Sequence, residues 1–116
     1  MYKKVSKNEA AHYIWGDRCD SWVLVDKDTL SVKLESMPPN TRESAHHHAK
    51  ASQFFYLLKG EALFHINEDE SVTVLAQEGL LIPPHTIHFI ENKSNEAIDF
   101  LVISQPTTNN DRFLAD

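Results

Sequence analysis

The chain has 116 residues, and we predict a single domain spanning residues 1–116. Hydrophobic residues make up 41% of the sequence but occur in short runs. None approaches the roughly 20 consecutive apolar residues of a membrane span. The formal net charge of −6 argues against a nucleic-acid partner, because phosphate binding needs a basic surface. A single cysteine, Cys19, and a charged N-terminus without a following apolar stretch favour a cytoplasmic location over secretion.

Short runs rich in β-branched and aromatic residues, each closed by a turn signal, are the dominant pattern along the chain. They predict about eight strands, at residues 22–25, 30–35, 53–58, 62–66, 72–75, 80–82, 86–91 and 98–103. Within residues 30–35, apolar and polar side chains alternate, as is typical of a half-buried strand. Gly60 predicts a tight hairpin turn that pairs the two strands on either side of it.

The ends of the chain are less regular. The first ten or so residues are compatible with a short helical turn or with an extra edge strand. Residues 107–116 have loop composition and predict a flexible tail running over the surface. Many short strands without a helix predict an all-β sandwich or barrel, with a core over about residues 22–104.

Three consecutive histidines, His46, His47 and His48, stand out among the seven in the chain. Side chains alternate faces along an extended segment, so His46 and His48 point one way and His47 points the other. Two imidazoles on one face can bind one metal ion, although a pair of exposed loop histidines has the same spacing. Gln53, at the head of an apolar strand, needs a hydrogen-bond partner, and His88 opens a later strand after a double proline.

The segment from His46 to Asn92 resembles the two motifs of the cupin family. The first motif is His-x-His, three or four residues, Glu, six residues and Gly; its positions here hold His46, His48, Gln53 and Gly60. The second is Gly, five residues, Pro-x-Gly, two residues, His, three residues and Asn; it is kept here at Pro83, His88 and Asn92. The resemblance implies a single double-stranded β-helix, or jelly-roll, barrel.

The chain departs from the motifs at three positions. Gln53 stands where cupins usually have a glutamate, and Gln77 and His85 stand where they have glycines. A non-glycine residue in the tight turn at His85 needs an uncommon backbone angle. We interpret His85 as a surface residue, with a position near the barrel mouth as the alternative.

The resemblance implies a divalent metal at the barrel mouth, held by His46, His48 and His88. Gln53 is either a fourth ligand through its amide oxygen or a partner that hydrogen-bonds a ligand histidine. Three neutral imidazoles leave the full double charge on the ion, which strengthens it as a Lewis acid. Zinc, iron, manganese, nickel, cobalt and copper all accept imidazole, so the sequence does not choose among them.

The function that the resemblance implies is binding or conversion of a small organic molecule, with dioxygenase-, isomerase- or lyase-type chemistry. The alternatives are a non-catalytic barrel that binds or senses a small ligand, and a structural barrel with idle histidines. The sequence assigns no catalytic residue, although Glu43 or His85 would be placed to move protons. Barrel lining and mouth candidates are Phe55, Leu57, Ile90, Arg42, Thr86 and, less favoured, His65.

Small cupins resemble one another in forming dimers, and the open edges of a β-sandwich need cover. We therefore expect a homodimer. The N-terminal segment with Tyr13 and Trp15 is the expected interface.

Overall fold

The computed structural model describes residues 2–115, and these residues form strands, turns and loops without a helix. The twelve strands are β1 (Ala11–Trp15), β2 (Cys19–Lys27), β3 (Leu30–Met37), β4 (Thr41–Arg42), β5 (His46–His47), β6 (Ser52–Lys59), β7 (Glu61–Ile66), β8 (Glu70–Leu75), β9 (Gly79–Ile82), β10 (His88–Asn92), β11 (Ile98–Gln105) and β12 (Phe113–Leu114). The described residues include no helix long and apolar enough to cross a membrane. The all-β prediction is confirmed.

The strands form two six-stranded antiparallel sheets. One has the order β1-β2-β3-β11-β6-β9, and the other has the order β12-β5-β10-β7-β8 with β4 also paired to β10. Apolar side chains from both sheets fill the space between them, among them Phe55, Leu57, Phe64, Ile90 and Phe100. Burying these side chains stabilises the fold by about 1.5 to 3 kcal/mol each relative to exposure. The result is a closed apolar core towards one end of the sandwich.

All eight predicted strands are present: six are one or two residues longer than predicted, β2 is five residues longer, and β10 begins two residues later and is one residue shorter. Of the two alternatives that the sequence left open for the first ten or so residues, the structure shows the helical turn. The amides of Glu9 and Ala10 donate to the carbonyl of Ser6 in a single helical turn. The edge strand β1 follows this turn directly.

The turn at Gly60 is confirmed, but the predicted hairpin is wrong. Gly60 has a positive φ of 89°, and a Cβ there would lie 2.6 Å from Cγ2 of Ile98. The strands on either side belong to different sheets, since β6 pairs with β11 and β9 whereas β7 pairs with β10 and β8. Gly60 thus lets the chain cross from one sheet to the other where the backbone passes close to β11.

The C-terminal segment differs from the surface tail predicted for residues 107–116. Phe113 pairs with His47 and Leu114 with His46, so β12 extends the sheet beside β5. Asp111 is only 6% exposed. Its carboxylate accepts hydrogen bonds from the backbone amides of Ala49, Lys50 and Ala51 at 2.7, 3.0 and 3.0 Å. The composition of this segment predicted a free loop, but its partners lie about sixty residues earlier, beyond the reach of a local pattern. Asp116 lies outside the described residues.

Candidate metal centre

Three histidines converge inside the sandwich, next to the core residue Phe55, whose ring centre lies 6.2 Å from that of His88. His46 on β5 and His88 on β10 are direct partners in the sheet. His48 lies two residues after His46 and points to the same face, as the sequence predicts. The exposed fractions are 4% for His46, 4% for His48 and 1% for His88. One nitrogen atom from each ring lies within 4.8 Å of the other two, so a single ion can contact all three.

A main-chain carbonyl holds each of the three rings at Nδ1. The Nδ1–oxygen distances are 2.9 Å from His46 to Ser44, 2.6 Å from His48 to Asp111 and 2.8 Å from His88 to Thr86. Because a carbonyl only accepts, each Nδ1 carries the proton and donates it, and each Nε2 keeps its lone pair. Partners of this kind fix the orientation of metal-binding histidines and raise their basicity.

Among residues 2–115, Nε2 of His48 and Nε2 of His88 have no hydrogen-bond donor in the arrangement that the structure shows. Nε2 of His48 is buried and has no partner among the described residues. Nε2 of His88 lies 3.2 Å from Oε1 of Gln53, whose Nε2 donates to Oγ of Ser104 at 3.2 Å. With the proton of His88 on Nδ1, this places two acceptors face to face. A cation would satisfy both, and rotating the amide by half a turn would let Gln53 donate to His88 instead.

The three imidazoles are neutral at physiological pH. Burial lowers the pKa of His46 to about 3 and that of His88 to about 4, and it also lowers the pKa of His48. The carbonyl bonds at Nδ1 oppose this shift, while the Arg112 guanidinium adds to it. Neutral imidazole is the form that binds metals, so the donor set fits a divalent cation.

A cavity of about 480 Å³ opens in front of His46 and His48. Its wall mixes aromatic, aliphatic, neutral polar and charged side chains: Tyr13, Trp15, Lys33, Glu35, Glu43, Ser44, His46, His48, Gln53, Phe55, Val102, Ser104, Thr108, Arg112 and Leu114. This volume is in the range of small-molecule sites, and a few polar groups converging beside apolar lining is their usual composition.

Two carboxyl groups in the cavity wall have unusual acidity. Burial raises the pKa of Glu43 to about 8, although the amide of Ile90 opposes the shift by donating to the Glu43 carboxyl group at 3.1 Å. Burial also raises the pKa of Glu35 to about 7. Both groups therefore exchange a proton near neutral pH, which is the range that suits a general acid or base.

The other residues considered in the sequence analysis divide between the cavity, the core and the outer surface. Phe55 lines the cavity, whereas Leu57 and Ile90 belong to the core. Arg42 does not reach the cavity, because its guanidinium lies 4.7 Å from the ring centre of Phe89. His65 is directed away from the site and bonds Glu91 at 2.8 Å.

The two histidines next to the motif ligands also lie outside the cavity lining. His85 is exposed and has a positive φ of 66°, which confirms the uncommon backbone angle expected there. The ring of His47 stacks on Phe113 with 5.3 Å between ring centres. Thr86 contributes its carbonyl to His88.

The charged residues Lys33, Glu35 and Arg112 line the cavity but were not predicted. The alternation in β3 contained a signal for the first two, since Lys33 and Glu35 share a face opposite to Val32 and Leu34. Alternation predicts a half-buried strand but does not tell which face is buried. In the structure the polar face turns inward, because the interior at this end is a polar cavity.

Comparison with known families gives the chain its class. The family model for the cupin domain matches residues 33–104. The chain belongs to the cupin family. No curated protein sequence matches it.

Solved structures share the fold at low sequence identity. An uncharacterized conserved protein with a double-stranded β-helix domain from Klebsiella pneumoniae is 18% identical, with a TM-score of 0.82 over 100% of this chain and 99% of that chain. A predicted oxalate decarboxylase from Thermotoga maritima is 21% identical, with a TM-score of 0.81 over 90% and 100%. The polyketide cyclase RemF from Streptomyces resistomycificus is 19% identical, with a TM-score of 0.81 over 92% and 81%. These similarities confirm the jelly-roll barrel of the cupins.

Proposed function

We propose that this cupin binds a divalent metal ion through Nε2 of His46, His48 and His88 and acts on a small organic molecule in the adjoining cavity. The observation that carries the proposal is the buried Nε2 of His48, which has no partner among residues 2–115. A buried polar atom without a hydrogen bond costs about 1 to 3 kcal/mol, and coordination would remove that cost. The ion is zinc, iron, manganese, nickel, cobalt or copper.

Gln53 is the proposed fourth ligand. Its amide oxygen already lies 3.2 Å from Nε2 of His88, and Ser104 fixes the other end of the amide. In this role Gln53 leaves the ligand set without a negative charge. The Gln53→Ala variant, loaded with cobalt, tests the assignment. Loss of a ligand should change the absorption spectrum of the cobalt ion, whereas loss of an outer hydrogen-bond partner should mainly change the metal affinity.

A bound divalent ion would polarise an oxygen atom of the organic molecule. The chain supplies the remaining chemistry. Glu43 lines the cavity and holds a proton near neutral pH, so we propose it as the group that donates or accepts a proton at the substrate. Phe55 and Val102 exclude water from one side of the cavity. These features favour a dioxygenase, isomerase or lyase over the alternative of a non-catalytic binding barrel, for which no acid–base group is needed.

The first test is elemental analysis of untagged protein. Wild-type protein should carry about one metal ion per chain, as expected for a single three-histidine site, and the His48→Ala variant should carry little. The matched control is His65→Ala, since His65 is directed away from the site, and this variant should keep the wild-type content. A wild-type protein that stays empty and takes up no added metal would overturn the proposal and leave a metal-free binding barrel.

We also propose that the protein forms a homodimer through the outer face of the sheet that contains β3, β11, β6 and β9. Leu81, Phe54, Ile103 and Val32 form a continuous row across four neighbouring strands, and Leu81 is 61% exposed. A row without charges can meet its own copy across a two-fold axis without like-charge repulsion. Tyr13 and Trp15, the interface expected from the sequence, line the cavity, and their place at a dimer interface stays a prediction. Light scattering tests this, and Phe54→Glu should give a monomer.

A further inference from the structure

We infer that the cavity selects a small organic acid, and that Arg112 binds its carboxylate or phosphate group while the rest of the molecule reaches the three histidines. This inference rests on the proposed function, because it names the class of molecule that enters the same cavity. Arg112 lines that cavity together with His46 and His48. A planar guanidinium forms paired hydrogen bonds with carboxylate and phosphate oxygens.

Arg112 differs from the two other arginines of the chain in having no partner within residues 2–115. Arg18 forms an ion pair with Asp17 at 3.4 Å. Arg42 lies 4.7 Å from the ring centre of Phe89. Among the described residues, neither an ion pair nor a hydrogen bond nor a cation–π contact involves Arg112. Its charge is therefore available to a ligand.

Arg112 is exposed, but the backbone on both sides of it is fixed. On one side, the carboxylate of Asp111 accepts three backbone hydrogen bonds, and its carbonyl accepts the Nδ1 proton of His48. On the other side, Phe113 pairs with His47 in the sheet. Arg112 is thus presented to the cavity by the same segment that orients a metal-facing histidine.

The electrostatic balance of the cavity agrees with an anionic ligand. Arg112 lies in the same cavity wall as His46 and His48. Lys33 adds a second positive charge to the wall. The two cavity carboxyl groups, Glu35 and Glu43, have raised pKa values of about 7 and about 8. When they hold their protons they donate hydrogen bonds to an anion rather than repel it.

The test is a calorimetric titration of metal-free and zinc-loaded protein with succinate, succinamide and inorganic phosphate. Wild-type protein should bind succinate or phosphate and should discriminate against succinamide, which has the shape of succinate without its charge. The Arg112→Gln variant should bind the anion at least tenfold more weakly, since a charge-assisted hydrogen bond is lost. Arg112→Lys should fall between the two, because lysine keeps the charge but not the planar fork.

The matched control is Arg42→Gln, which removes one positive charge of equal size from the outer surface and should leave anion affinity unchanged. Preference for succinate assigns a carboxylate, and preference for phosphate assigns a phosphate ester. Equal affinity of wild type and Arg112→Gln, or no binding of either anion at millimolar concentration, would overturn the inference. If Arg112-dependent binding persists while the wild type takes up no metal, the proposed metal centre fails and the anion site stands.

Discussion

Asn92 and His48 are both buried polar residues in the interior of one barrel, but their hydrogen-bonding states are opposite. Nδ2 of Asn92 lies within 3.1 Å of three main-chain carbonyls, and its Oδ1 accepts two bonds from Ser94. His48 has one satisfied nitrogen and one buried nitrogen without a partner. Asn92 therefore serves the fold, whereas the unpartnered nitrogen of His48 lies where His46 and His88 also bring a nitrogen atom within 4.8 Å, and the three together indicate a binding site.

The largest effect should come from removing a histidine of the cluster. We expect His48→Ala to weaken metal binding by more than the roughly 100-fold that loss of an outer partner costs. Without metal, the variant should be less stable than the wild type by no more than about 1 kcal/mol, because the substitution also removes the unsatisfied Nε2. Metal titration and urea unfolding of both proteins measure the two quantities. Retained affinity would mean that His48 does not face an ion.

The Asn92→Ala substitution should reverse this pattern. It leaves the carbonyls of Met37, Pro38 and Glu96 without their shared donor, so we expect a loss of about 2 to 3 kcal/mol in the free energy of unfolding. Metal affinity of the folded fraction should stay within twofold, as roughly 0.4 kcal/mol is the limit for distant sites. A large loss of affinity would show that the two ends of the barrel are coupled.

Asp111→Asn should reduce metal affinity by less than His48→Ala does and by more than Asn92→Ala does. Asparagine keeps one acceptor oxygen but loses the charge that binds the amides of Ala49, Lys50 and Ala51. We expect metal affinity to fall about tenfold, because the carbonyl that orients His48 shifts with the segment. The NMR signal of the His48 Nδ1 proton should broaden or move. Asn109→Ala, at an exposed position of the same segment, is the control and should change neither quantity.

A further prediction is a pH dependence of stability in metal-free protein. The folded-state pKa of Glu43 is raised to about 8, against about 4.5 in the unfolded chain. The carboxyl group of Glu43 therefore adds fully to the free energy of unfolding below its unfolded pKa, and this contribution is lost as the pH rises through 8. Stability of the wild type should therefore decline between pH 5 and pH 9 more than that of Glu43→Gln. Thermal unfolding across this range makes the comparison, and parallel curves would contradict the raised pKa.

The histidine cluster opposes this trend on the acid side. His46 and His88 have lowered folded-state pKa values of about 3 and about 4. The unfolded chain binds more protons below its histidine pKa of about 6.5, so the contribution of these residues is lost as the pH falls below that value. The variant lacking His48 should show a weaker loss between pH 6.5 and pH 4.

The strands and the three-histidine cluster were predictable because their signals are local. Alternation placed His46 and His48 on one face, and the motif spacing added His88 and the strained turn at His85. The contribution of the C-terminal segment was not predictable in this way. The Asp111 carboxylate accepts hydrogen bonds from amides about sixty positions earlier, and the neighbouring Arg112 lines the cavity.

The polar face of β3 illustrates a second limit. Lys33 and Glu35 alternate with Val32 and Leu34, and the pattern alone does not tell which face is inside. The usual rule buries the apolar face. It failed here because the interior at this end is a cavity lined by polar groups, so the charged face turns inward and the apolar one lies on the outer surface of the sheet.

The hydrogen bond from His48 to the carbonyl of Asp111 spans 63 residues of sequence. A ribosome adds about 5 to 20 residues per second, so roughly 3 to 13 seconds separate the synthesis of these two residues. During that interval His48 is already outside the catalytic centre of the ribosome or in its exit tunnel, without the carbonyl that sets its tautomer. The carbonyl that orients His48 is therefore supplied late in biosynthesis, and the three-histidine cluster reaches its final geometry only in the finished barrel and not in the nascent chain.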